Sequence, residues 1–246
     1  MTVFPPTAVL VHGAWHDERC WAAVVAHLSQ QRMPVVTLTL PSTDPGRELP
    51  GFADDVAALV DVIDAIPGPV TLCGHGYGGM VISEAGNHDR VRRLVYLAAA
   101  CPRPGERAMD QAGRLRRSIR MTGDGRMLLS ARTAAHRLYG DLGRSRARHR
   151  AESLLPSTAA IFQARSIDPA WRSKPTTYVV CGRDRALDRA MCRRRADEVM
   201  VNQLAHGRGD GFAVTLPTGH APFYSAPRAV AEIVAGTRRI GAYPLA

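Results

Sequence analysis

The sequence predicts an α/β domain: a mostly parallel sheet with helices on both faces. Three observations carry this. Short apolar runs alternate with stretches of helical periodicity along most of the chain. The runs are continuously apolar, as strands buried on both faces must be, instead of alternating polar and apolar. The chain is also long enough, at 246 residues with 46% apolar side chains, to bury the core of one large domain and to exclude a disordered reading.

The elements follow in order. Ala8–Val11 reads as a short buried strand. Trp21–Gln31 reads as a helix with Trp21, Val24, Val25 and Leu28 on one face. Val35–Leu38 is the next strand. Phe52–Ile66 is a helix carrying Val56, Leu59, Val60 and Ile63, stopped by Pro67-Gly68-Pro69. Val70–Cys73 is a strand that turns through glycines into a helix from about Tyr77 to Ala85, and Val91–Leu97 is a further strand. Residues 102–172 then break the alternation, being polar, Arg-rich and helical in propensity. Thr177–Cys181, a helix, Ala213–Leu216 and a last helix from about Pro227 to Thr237 resume it. The middle segment is therefore an insertion between two strands of one sheet. Residues 202–211, with three glycines, read as a mobile surface loop.

Composition limits the function classes. The formal charge is +10, and among 32 basic residues Lys174 is the single lysine. Residues 102–172 hold 15 Arg against 6 acidic side chains, leaving 17 basic and 16 acidic elsewhere, so one segment carries almost the whole imbalance. Arg114, Arg116, Arg117 and Arg120 form one cluster; Arg144, Arg146, Arg148 and Arg150 form another. Two readings stand: a solvated helical surface made Arg-rich by base composition, or an electropositive mouth for an anionic or carrier-bound substrate. Nucleic acid is not expected, because no recognised binding fold appears and aromatics are sparse in the segment. No apolar run reaches the ~18–20 residues that span a bilayer. Residues 1–6 show no basic segment leading into an apolar one, so a cytoplasmic location is expected. The five cysteines form no C-x-x-C pair and read as reduced thiols.

The chemistry concentrates at strand ends. Leu72-Cys73-Gly74-His75-Gly76-Tyr77-Gly78-Gly79 joins a strand to a helix, where a G-x-S-x-G nucleophile elbow would lie, with Gly76 at its centre. It also reads as an ordinary glycine-rich strand–helix loop, or formally as G-x-G-x-x-G. The nucleotide reading lacks an acidic residue at the end of Val91–Leu97. The first strand runs into His12-Gly13-Ala14-Trp15, the penultimate into Gly182-Arg183-Asp184, and the last into Thr218-Gly219-His220. Elbow, acid and histidine thus follow in chain order at carboxyl ends of strands, where open parallel sheets bind ligands.

These segments resemble the plant methylesterase and hydroxynitrile lyase branch of the α/β-hydrolases and its bacterial relatives, over nearly the whole chain and least in 102–172. The resemblance implies an α/β-hydrolase fold: a mostly parallel six-stranded sheet flanked by helices, residues 1–101 and 173–246 forming the core and 102–172 a helical cap. It also implies His220 as general base, Asp184 as its orienting acid, the backbone amides of Ala14 and Tyr77 as oxyanion hole, and residue 76 as the nucleophile position. There the family has serine and this chain has Gly76. Glycine carries no hydroxyl, so no acyl-enzyme can form at that position.

The leading expectation is an enzyme in which a His220–Asp184 dyad does non-covalent acid–base work on a small, partly apolar carbonyl or phenol compound. A water attacking a carbonyl or a lyase- or cyclase-type proton transfer would serve. Two alternatives stand beside it: a serine esterase in which Gly76 replaces the nucleophile, and a non-catalytic binding member of the fold. His12, Trp15 and Cys101 are candidate pocket residues, His75 and Ser83 are expected to be packed, and Asp188 to cap a helix. No metal or other cofactor is expected. His12 and His16 have H-x-x-x-H spacing but lie in a glycine-containing loop, and no third ligand pattern is near.

Overall fold

The computed structural model describes residues 5–208 and 212–237. Its main sheet has six strands, β1 (Thr7–Val11), β2 (Val35–Leu38), β3 (Val70–Gly76), β4 (Val91–Ala99), β8 (Thr176–Cys181) and β9 (Phe212–Leu216). They are ordered β2-β1-β3-β4-β8-β9, and every pair is parallel. All residues of β1, β3 and β8 are buried, which is why their sequences are apolar without alternation.

Helices α1 (Ala22–Gln30), α2 (Phe52–Asp64), α3 (Gly78–Ala85), α6 (Arg189–Ala205), α7 (Pro222–Ser225) and α8 (Pro227–Ala235) flank the sheet. Helix α1 packs against α8, and α2 against α3. Strand order reverses beside β1, so the carboxyl ends of β1 and β3 open a crevice between them. The turn from β3 into α3 is tight: a Cβ on Gly79 would lie 2.1 Å from the Ala100 carbonyl oxygen, so only glycine lets the helix pass that close.

The segment between β4 and β8 is not wholly helical, contrary to the expectation for the cap. It contains α4 (Ala131–Arg137) and α5 (Arg144–Glu152), together with a three-stranded antiparallel sheet of β5 (Ile119–Met121), β6 (Arg126–Leu129) and β7 (Ser157–Thr158). Helical propensity misleads here because a Thr122–Gly125 turn intervenes. The Gly125 N–H donates to the Thr122 carbonyl, and Gly125 takes φ +78°. Asp-Gly between short apolar runs is a hairpin signal that outweighs the propensity of neighbouring arginines. At the cap's base, the Trp171 indole N–H donates to the Pro102 carbonyl at 2.6 Å.

The expected loop at 202–211 also needs correction. Helix α6 continues to Ala205, because Gln203, almost fully buried, accepts the Thr176 N–H and donates to the Lys174 carbonyl. Residues 209–211 lie outside the described residues.

Candidate active site

Four strand ends meet beneath the cap. At the end of β3, Gly76 has φ +53°, the left-handed conformation that the centre of a sharp strand–helix turn imposes. A Cβ there would find ordinary contacts, 3.5 Å from Gly13 Cα and 3.6 Å from His220 Nε2. The turn therefore has room for a side chain that would point at the imidazole.

His220, after β9, donates from Nδ1 to Asp184 Oδ2 at 2.8 Å. Both side chains are buried. Asp184, after β8, is held in turn: its Oδ1 accepts the N–H groups of Ala186 at 2.7 Å and Leu187 at 3.1 Å. A carboxylate oriented by two amides holds the imidazole proton on Nδ1, which leaves Nε2 as the basic atom facing position 76.

Three further imidazoles surround this pair, and all are kept neutral. Burial pushes His16 down to about 3 and His12 to about 4, and it holds His75 well below the ordinary imidazole value. Their partners are uncharged. His12 bonds the Gly13 carbonyl and the Leu40 N–H, His16 the Ala14 carbonyl and the Tyr139 hydroxyl, and His75 the His220 carbonyl. Of the four, His220 alone meets a carboxylate.

The cavity above is narrow, about 40 Å³. Gly13, Ala14, Trp15, Gly76, Tyr77 and His220 line it from the core, and Ala108, Ala112, Leu115, Leu138 and Phe162 from the cap. Ala14 and Tyr77, the two residues whose amides were expected to form an oxyanion hole, thus face the same space as His220. Trp15 also lines it and is held at φ +67° by its N–H to Ser157 Oγ at 2.8 Å and its indole N–H to the Met127 carbonyl at 3.1 Å.

Two of the expected pocket residues do not line the cavity. His12 is fully buried behind it, bridging the Gly13 carbonyl and the Leu40 N–H. Cys101 is fully buried with its backbone clasped by the Gln111 amide, and burial raises its thiol well above the ordinary range. Ser83 is packed against the Gly79 carbonyl and the Tyr96 hydroxyl, and Asp188 caps α6 by accepting the Met191 N–H.

Sequence reasoning missed two supports of the site. Tyr77 donates its hydroxyl to Asp55 Oδ2 at 2.8 Å, and Asp55 Oδ1 accepts the Ser42 N–H. The signal was there, since Asp55 lies on the stripe of α2 that buries Leu59 and Ile63. The bond from Tyr139 to His16 joins cap to core across 123 residues, and nothing local announces it. Among the described residues, no three His, Cys, Asp or Glu side chains are grouped to hold a metal ion.

A family model described as "Alpha/beta hydrolase family" matches residues 8–233. The chain is 29% identical over 241 residues to "Probable hydrolase R7" of Phoma sp., covering 94% of this chain and 97% of that protein. It is 25% identical over 252 residues to "Alpha/beta hydrolase nvfD" of Aspergillus novofumigatus, covering 93% and 95%. The "Carbendazim hydrolyzing esterase" of Nocardioides sp. is 35% identical over 108 residues, 41% of this chain and 45% of that one. Among solved structures, the pyrethroid hydrolase PytH superposes with TM-score 0.77 at 22% identity over 94% of this chain and 97% of that one. Polyneuridine aldehyde esterase gives 0.76 at 19% over 94% and 98%. At such identities these two establish the fold alone. The family match spans most of the chain, and with it the strand-end geometry: this protein belongs to the alpha/beta hydrolase family.

Proposed function

We propose that the chain is an enzyme in which the His220–Asp184 pair performs non-covalent acid–base chemistry on a small, largely apolar carbonyl or phenol compound. The observation that carries this is the 3.6 Å between His220 Nε2 and the Cβ position of Gly76. A base oriented by a buried carboxylate faces a position with no hydroxyl to deprotonate. Water fits there. A cavity of about 40 Å³ has room for roughly three or four waters at the ~10–15 Å³ that each needs. A water activated by His220 can attack a carbonyl, with the Ala14 and Tyr77 amides receiving the developing oxyanion. By the same geometry, His220 can take a proton from the substrate itself, the two amides stabilising an enolate or phenolate. The apolar cap residues suit the body of such a molecule, and the hydrolase and esterase names of the relatives favour the hydrolytic form.

One observation favours a second reading, a serine esterase with glycine at its nucleophile position: the left-handed turn at 76 still has room for a Cβ aimed at the imidazole.

Hydrolysis of p-nitrophenyl esters separates the readings. On the proposed one, the protein turns over slowly without a burst, His220→Ala abolishes that turnover, and Gly76→Ala lowers it by crowding the water. Under the esterase reading, Gly76→Ser raises turnover by several orders of magnitude with an acyl-enzyme burst, since losing the nucleophile of such a triad costs roughly 10⁶-fold. Unchanged turnover in His220→Ala would sink both.

A further inference from the structure

Beside the cavity lies a second, larger depression of about 600 Å³ between α4, the turn after β8 and the start of α6. His136, Arg137, Arg185, Arg189 and Arg193 line it, and Arg183 joins Arg185 and Arg189 in the neighbouring groove. Some arginines elsewhere are neutralised locally. Arg103, Arg107, Arg148, Arg195 and Arg228 each pair with a carboxylate. Among the described residues none of the five groove arginines does. Arg137 donates to the Arg185 carbonyl and Arg189 to the Gly182 carbonyl. The three acids at hand bond elsewhere: Asp184 to His220 and two amides, Asp188 through Oδ1 to the Met191 N–H, and Asp141 through Oδ2 to the Gly219 N–H at 2.6 Å, its Oδ1 having no partner. What the groove shows is their convergence: five guanidiniums with no carboxylate partner among the described residues around one depression and its neighbour.

The groove and the cavity adjoin. Leu187 lines both, and the chain neighbours Ala112 and Gly113, and Leu138 and Arg137, face the cavity and the groove in turn. We propose that the groove is an anion subsite of the same binding channel, taking a small molecule whose apolar body enters the cavity and whose carboxylate or phosphate lies several bonds away against the Arg185 and Arg189 guanidiniums. Arginine suits this because its planar fork bonds either anion through two N–H groups. The inference rests on the cavity being the substrate site, but not on the reaction performed there.

Binding, not turnover, tests it. Calorimetric titration compares 6-phenylhexanoate and 6-phenylhexyl phosphate with the neutral 6-phenylhexanol. Both anions should bind about 10-fold or more tighter than the alcohol, as charge-assisted hydrogen bonds to arginine predict. The preference should vanish in Arg185→Gln/Arg189→Gln and survive in Arg116→Gln/Arg117→Gln, which removes the same charge from the exposed cap surface. It should also survive in His220→Ala, which abolishes turnover if the dyad is catalytic, so the two readings fail separately. Equal affinity for acid and alcohol, including no binding by either, overturns the subsite. Loss of the preference in the Arg116/Arg117 variant overturns it equally, because general surface charge then accounts for the attraction.

Discussion

His16 and His220 sit in one pocket and are held by opposite means. Asp184 accepts the Nδ1–H of His220, whereas burial keeps His16 neutral down to about 3. That difference has a measurable consequence. The unfolded imidazole titrates near 6.5, so above that pH both states of His16 are neutral and contribute no pH dependence. Between 6.5 and about 3 the unfolded chain binds a proton that the folded chain refuses. Stability therefore falls with acidification, by ~1.4 kcal/mol per pH unit for one such group. Urea unfolding of His16→Gln is expected to show a slope between pH 5.5 and 4.5 shallower by about one proton than that of the unaltered protein. Identical slopes would mean that His16 takes up its proton in the folded state. The pairing of Asp184 with His220 was legible at this scale because each lies a few residues past the end of an apolar strand. The neutral role of His16 was not, because it depends on Tyr139 from the cap and on burial by a distant segment.

At the scale of elements, strands β1, β2, β3, β4, β8 and β9 were legible to within three residues at either end. Each is a continuous apolar run, and burial on both faces selects that pattern. The cap was not legible, because its elements are short and stabilised by contacts with the core instead of by their own periodicity. Strand β7 is only Ser157–Thr158, yet Ser157 Oγ accepts the Trp15 N–H at 2.8 Å and so joins the cap sheet to the loop carrying Ala14. Ser157 is fully buried. Ser157→Ala therefore strands a buried donor, and a loss of about 1–3 kcal/mol in urea unfolding is expected. A change below about 0.5 kcal/mol would show that Trp15 keeps its left-handed backbone without this bond.

Considered whole, the molecule leaves only a narrow space between cap and core at its site. The cavity of about 40 Å³ accepts water but not an aromatic ring, for which roughly 150 Å³ is the scale of a benzene-sized void. A substrate of the proposed class thus requires the cap to shift away from the core before its ring can enter. The contacts around the cavity that would yield are both polar and apolar: Trp15 to Ser157 and Met127, Tyr139 to His16, Asp141 to Gly219, and Phe162 packed against Trp15 and Tyr77. Opening then precedes binding, and the association kinetics should show it. In stopped-flow mixing with 6-phenylhexanoate, the observed rate is expected to level off at high ligand, the plateau being the opening rate on a microsecond-to-millisecond timescale. Ser157→Ala should raise that plateau while leaving the anion preference of the groove intact, since it loosens the cap without touching an arginine. A rate that climbs linearly to the highest concentrations, with a second-order constant of the ordinary ~10⁵–10⁷ M⁻¹s⁻¹, would mean that the ligand enters without any such motion.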